Sequence, residues 1–175
     1  MKTGLLFISL FFVFQAGFVS QAGLIFKAGK KPDPLQSFDK SGYYHVMAVG
    51  NLAEIDSELV ILAHAMPREK AAYEGALQMR KAGLLHRPKD KLSTFRSGAT
   101  QLETALAKDS SNGEYHFLRL IIQEHAPAVV HYNKNQEEDS QYIYRTFKTL
   151  SPVVQKAILD YSEHSKLLRA KELNG

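Results

Sequence analysis

From Asn51 onward the chain settles into a helical rhythm. Leu52, Ile55, Leu59, Leu62 and Met66 follow one another at steps of 3, 4, 3 and 4, the spacing that lines one face of an α-helix. Asn51 with Glu54 three positions later forms a capping-box pattern, so a helix is predicted over 51–65. Pro67 holds Met66 extended and suits the first position of a new helix, which runs through Arg68 to Ala82 until Gly83 can cap it. Its Ala71, Ala72, Gly75 and Ala76 make a face of little bulk, against which a neighbouring helix can approach closely. Beyond Pro88, the residues Leu92, Phe95, Ala99, Leu102 and Leu106 repeat the steps of 3, 4, 3 and 4. They predict a third helix ending near Lys108.

Asp109-Ser110-Ser111-Asn112-Gly113 is a dense turn signal. In the segment that follows, Tyr115, Phe117, Leu118, Leu120, Ile121 and Ile122 fill six of eight positions. That is too many for a single stripe, so this helix should be covered on most sides and stand at the centre of the core. Ala126-Pro127 ends or kinks it. Asn133 to Ser140 reads as a polar linker, whose charge run Asn135 to Asp139 is expected to be solvated. Tyr142, Ile143, Phe147 and Leu150 begin another helix, and Ser151-Pro152 opens a last one with a stripe through Val154, Ile158, Tyr161 and Leu168. No segment alternates at the period of a strand. The fold class is therefore all-α, expected as antiparallel helical hairpins.

The start of the chain has a different character. Lys2 precedes the uncharged apolar run Gly4 to Phe14, and small residues at Ser20 and Ala22 follow, the layout of a secretory signal peptide cut after Ala22. The competing reading is an uncleaved anchor, because the stretch from Thr3 to Phe26 lacks charge over roughly the 20 residues that span a bilayer. Gln15, Gln21 and the glycines favour cleavage. The expected organisation is a signal peptide at 1–22, a flexible lead-in at 23–50 and a helical domain at 51–171. Within the lead-in, Tyr43 to Val49 is apolar enough to dock on the domain. The location implied is periplasmic or secreted.

Composition narrows the chemistry. A length of 175 residues with 45% hydrophobic and 23% charged residues is that of one globular domain. The absence of Cys excludes disulfides, thiolate metal sites, thiol nucleophiles and a lipidated N-terminal cysteine. A net charge of +4, read as evenly spread, does not point to a nucleic-acid partner.

Two resemblances extend this reading. Leu102 to Tyr115 resembles the junction between two tetratricopeptide repeats, with Ala105, Leu106, Asp109 and Asn112 matching and Ser110 standing where that repeat usually has Pro. The helix carrying Tyr73, Gly75 and Ala76 would open the preceding repeat. The chain is also similar to a group of small exported proteins of bacteroidete bacteria with no established activity. That likeness is carried by Tyr73-Glu74-Gly75-Ala76-Leu77, by Leu102-Glu103, and by Glu114-Tyr115-His116-Phe117-Leu118-Arg119-Leu120-Ile121-Ile122-Gln123-Glu124-His125-Ala126-Pro127. It implies a setting and no mechanism.

The candidate chemistry lies on that last segment. Arg119 sits inside the most apolar run, where a guanidinium needs a partner because an unpaired buried charge costs several kcal/mol. Glu114 and Glu124 are each 5 residues away, about 140° round the helix, so a partner from another helix such as Glu74 or Glu103 is expected. The functional alternative is an anion-recognition site made by Arg119 with Glu114, Tyr115 and Gln123 lining a groove. His116, His125 and His131 step by 9 and 6 and so share no ligand face, and neither metal nor cofactor is expected. With no catalytic constellation, the reading is a non-enzymatic adaptor of the cell envelope that binds another envelope protein or a peptide. The membrane enters only through the N-terminal segment if it is kept. The alternative is a small envelope enzyme using Glu114, His116, Arg119 and Glu124 as an acid/base and anion-holding set.

Overall fold

The computed structural model describes residues 38–65 and 69–173. The signal segment, its cleavage site, the lead-in before residue 38 and the Met66-Pro67 junction lie outside the described residues. Eight α-helices are present among those described: α1 Lys40–Val49, α2 Leu52–His64, α3 Lys70–Leu84, α4 Pro88–Lys108, α5 Gly113–His125, α6 Gln136–Thr146, α7 Pro152–Ser162 and α8 Ala170–Leu173. Short 3-10 turns at Ala128–Val130 and Phe147–Thr149 complete the order, and no strand occurs among the described residues. The all-α reading holds.

Local chemistry explains most of the boundaries. Asn51 accepts from Ala53 N and Glu54 N, and Glu54 returns the favour to Asn51 N, so the capping box opens α2 as the sequence predicts. Pro88 starts α4 and Pro152 starts α7, each at a first-turn position where a missing N–H costs nothing. Gly83, expected as a cap, lies within α3 instead. The helix runs one residue further, and Leu85 turns extended to reach Pro88 across a short link.

Two further expectations are corrected. Part of the stretch assigned to a flexible lead-in, Lys40–Val49, is helix, opened by Asp39, whose carboxylate accepts from Ser41 N and Gly42 N. Tyr43, Tyr44 and Met47 bury their side chains there. Rings do much of this packing, with Phe38 and Tyr43 lying 5.0 Å and 4.9 Å from Tyr73 between centroids. The polar run 133–140 is no solvated linker either, because α6 begins at Gln136 and buries Asp139 and Ser140 completely or nearly so.

Helix α3 packs most extensively on α4, and the reason is a pair of glycines. A Cβ on Gly75 would lie 2.7 Å from the Gly98 carbonyl oxygen, and one on Gly98 would strike the Gly75 carbonyl. The small face of α3 therefore lets two backbones touch. Helix α5 sits against α3, α4 and α6, and every residue from Gly113 to Leu120 is buried. The apolar side chains of α1 to α8 join in a single core around it.

Candidate functional site

The crowding of ionisable groups on α5 resolves into three separate bonding systems, each facing a different neighbour. At the helix start, Asn112 accepts from Glu114 N and Tyr115 N and so fixes the first turn. Glu114 then points towards α1 and α3. Its Oε1 accepts from the hydroxyls of Tyr44 and Tyr73, both at 2.8 Å, and Oε2 accepts from Lys40 Nζ at 2.8 Å. Burial first, and then the adjacent Glu114, raises both tyrosines above the ordinary phenol range, so they stay as donors.

Arg119 faces the other way, between α4 and α6. Nε donates to Asp139 Oδ2 at 2.8 Å and Nη2 to Asp139 Oδ1 at 2.7 Å, the two-pronged geometry a guanidinium and a carboxylate share. Nη1 donates to Glu103 Oε2 at 3.0 Å, and the hydroxyl of Tyr132 donates to Glu103 Oε1. Burial alone would lower the Arg119 pKa, but the bonds to Asp139 and Glu103 outweigh it and hold the pKa above its ordinary value. Asp139 also faces His116, whose Nδ1 is 2.6 Å from Oδ1, while Nε2 lies 2.9 Å from the Ser110 carbonyl. Both nitrogens face acceptors, so both bonds form together only on a ring carrying two protons. The ring stacks on Tyr142 at 4.1 Å, with the Arg145 guanidinium 5.2 Å from the Tyr142 ring.

Near the helix end, Glu124 Oε2 accepts from Tyr161 and Ser165 hydroxyls at 2.6 Å and 2.8 Å, and Oε1 accepts from Lys166 N at 2.8 Å. This ties the segment after α7 to α5. His125 Nδ1 lies 2.8 Å from the Ile121 carbonyl.

Of the four residues placed in a groove by the sequence, Glu114 and Arg119 are held on different sides of α5 and do not meet. Tyr115 and Gln123 are buried in the same helix, and the Gln123 Oε1 atom is enclosed without a hydrogen-bond partner. Glu103 is the expected partner from another helix, whereas Glu74 sits 3.9 Å from Lys70. The decisive partner, Asp139, was hidden in the run read as linker. A signal for it existed, because Asp139, Ile143 and Phe147 stand at steps of 4 and so continue the buried stripe of α6 backwards. Among the described residues no three His, Asp or Glu side chains group as a metal-holding set, and no helix is long and apolar enough to cross a membrane.

These features define a class: an all-helical domain whose central helix is tied to its neighbours by buried ionic and tyrosine-carboxylate bonds. No family model, curated protein or solved structure matches the chain.

Proposed function

We propose that this protein is a non-enzymatic helical interaction module of the cell envelope, delivered there by its N-terminal segment and binding a peptide or another envelope protein. In this reading α3 with α4, and α5 with α6, form antiparallel hairpins of the tetratricopeptide kind, and their joint surface presents the partner site. The observation that carries the proposal is how the ionisable side chains of α5 spend their polar atoms. Arg119 is taken up by two carboxylates, Glu114 by three donors, and Glu124 by two hydroxyls and a backbone N–H. Groups bonded in this way inside the protein hold it together and are not poised for a substrate.

The enzyme reading keeps one favourable feature, the 2.6 Å contact of His116 with Asp139. Against it, both residues are buried and Asp139 is already committed to Arg119. The test is cross-linking in intact cells followed by purification of the tagged protein and identification of what is attached. A discrete partner that rebinds the purified protein in solution supports the module. Hydrolytic turnover of ester or phosphoester substrates, abolished by His116→Gln with the fold intact, would overturn it.

A further inference from the structure

Positive charge, read from the sequence as evenly spread, is in fact concentrated around the turn that joins α3 to α4. Segment 80–96 holds six of the chain's 22 Lys and Arg but only Asp90 of its 18 Asp and Glu, leaving 16 basic against 17 acidic residues elsewhere. Of the six, Arg80 donates to the Met47 and Gly50 carbonyls, and Lys81 pairs with Asp56. Arg87, Lys89 and Arg96 are exposed, as is His86. Lys89, Leu92 and Arg96 stand at steps of 3 and 4 and so share a face of α4, where Leu92 is 40% exposed. The ring of Phe95 meets Tyr132 at 5.5 Å, which sets the preceding turn Ala128–Val130 beside the first half of α4. In that turn Val129 is 74% exposed.

We propose that the surface around this turn, built on His86, Arg87, Lys89, Leu92, Arg96 and Val129, is a docking surface for an anionic lipid membrane. The charge selects the sign of the partner, and the positive end of the α4 dipole adds to it. The aliphatic residues select lipid over an acidic polypeptide. They project from the second turn of α4 and from a tight turn, where they can reach below the headgroups while the long cationic side chains around them meet phosphates. An acidic polypeptide would engage the cations and leave Leu92 and Val129 unused. This membrane contact is distinct from the apolar N-terminal segment.

The test needs a reporter at the surface itself, because a retained N-terminal segment would bind any bilayer. The chain has no Trp, so Leu92→Trp introduces a single tryptophan, which can be excited apart from the tyrosines. With the exported protein and vesicles of phosphatidylcholine containing about 30% phosphatidylglycerol, its emission should shift to the blue and be quenched by brominated lipid. Phosphatidylcholine alone should give no shift, and about 0.5 M salt should reverse it. Adding Arg87→Glu, Lys89→Glu and Arg96→Glu in that background should weaken the response at least about tenfold. Val153→Trp, at a 39% exposed position on α7, should not respond. If the triple reversal lowers the melting temperature, Lys89→Glu alone carries the same comparison. No shift on anionic vesicles, an equal shift on neutral ones, or a shift indifferent to the charge reversals would overturn the proposal. So would binding of polyglutamate by a protein that ignores vesicles, which would assign the surface to an acidic polypeptide.

Discussion

Arg119 shows what a single side chain can reveal and conceal. Its position in an apolar run is enough to demand a countercharge, and the 140° offset sends the search to other helices. Glu103 answers that search, but it is half-exposed, while Asp139 is fully buried and takes two of the three bonds. Arg119→Met should therefore cost about 3–5 kcal/mol in denaturant unfolding, because it strands the enclosed carboxylate. A second change, Asp139→Leu, should recover much of that loss. A stable Arg119→Met protein that has lost its partner would move the binding site to Arg119. Leu118, wholly enclosed, should lose about 2–5 kcal/mol on truncation to Ala. Glu58 invites the opposite kind of change. Its Oε1 is buried without a hydrogen-bond partner, and burial followed by the nearby Asp39 raises its pKa above the ordinary 4.5. A raised folded pKa means the native state holds its proton longer than the unfolded chain, so this group takes stability away as pH climbs from 4.5 through the folded value. Glu58→Gln should raise the denaturant midpoint at pH 7 and leave it nearly unchanged below pH 4.5, which melts at the two pH values would settle.

Among the elements, stripes at steps of 3 and 4 placed α2 and α4, a run of helix formers after Pro67 placed α3, a nearly unbroken apolar run placed α5, and Ser151-Pro152 with the stripe that follows placed α7. Helix α1 escaped for a physical reason. It is short, contains Gly42, and its burial rests on rings delivered by Phe38 and Tyr73, which no local pattern can show. Helix α6 was expected only from Tyr142; its start escaped because the first turn, Gln136 to Asp139, is wholly polar, and only the countercharge on α5 makes that turn a helix face worth burying. The small face of α3 was legible, and its consequence can be measured. Gly75→Ala should destabilise by about 1–3 kcal/mol despite the better helix propensity of Ala, since its Cβ meets backbone atoms of α4 that cannot yield. Gly83→Ala, within the same helix and only half-buried, should instead gain up to about 1 kcal/mol. Equal effects at the two positions would show that the helices do not touch at Gly75.

Taken whole, the molecule converges on α5. Glu114 receives Lys40, Tyr44 and Tyr73 from the first half of the chain, Arg119 reaches back to Glu103 and forward to Asp139, and Glu124 fastens the segment beyond α7. Amide hydrogen exchange should accordingly be slowest in α5 and fastest in α8. The core's centre was visible in the sequence as an apolar run, whereas the ties that radiate from it depend on which helices the fold brings near. Those ties make the chain indivisible. A cut in the exposed turn between α4 and α5 would leave the Glu114 carboxylate on one piece and its three donors on the other, with Arg119 parted from Glu103. Neither half should hold a fold alone, yet the two, mixed in equal amounts, should reassemble and regain the helical spectrum of the uncut protein.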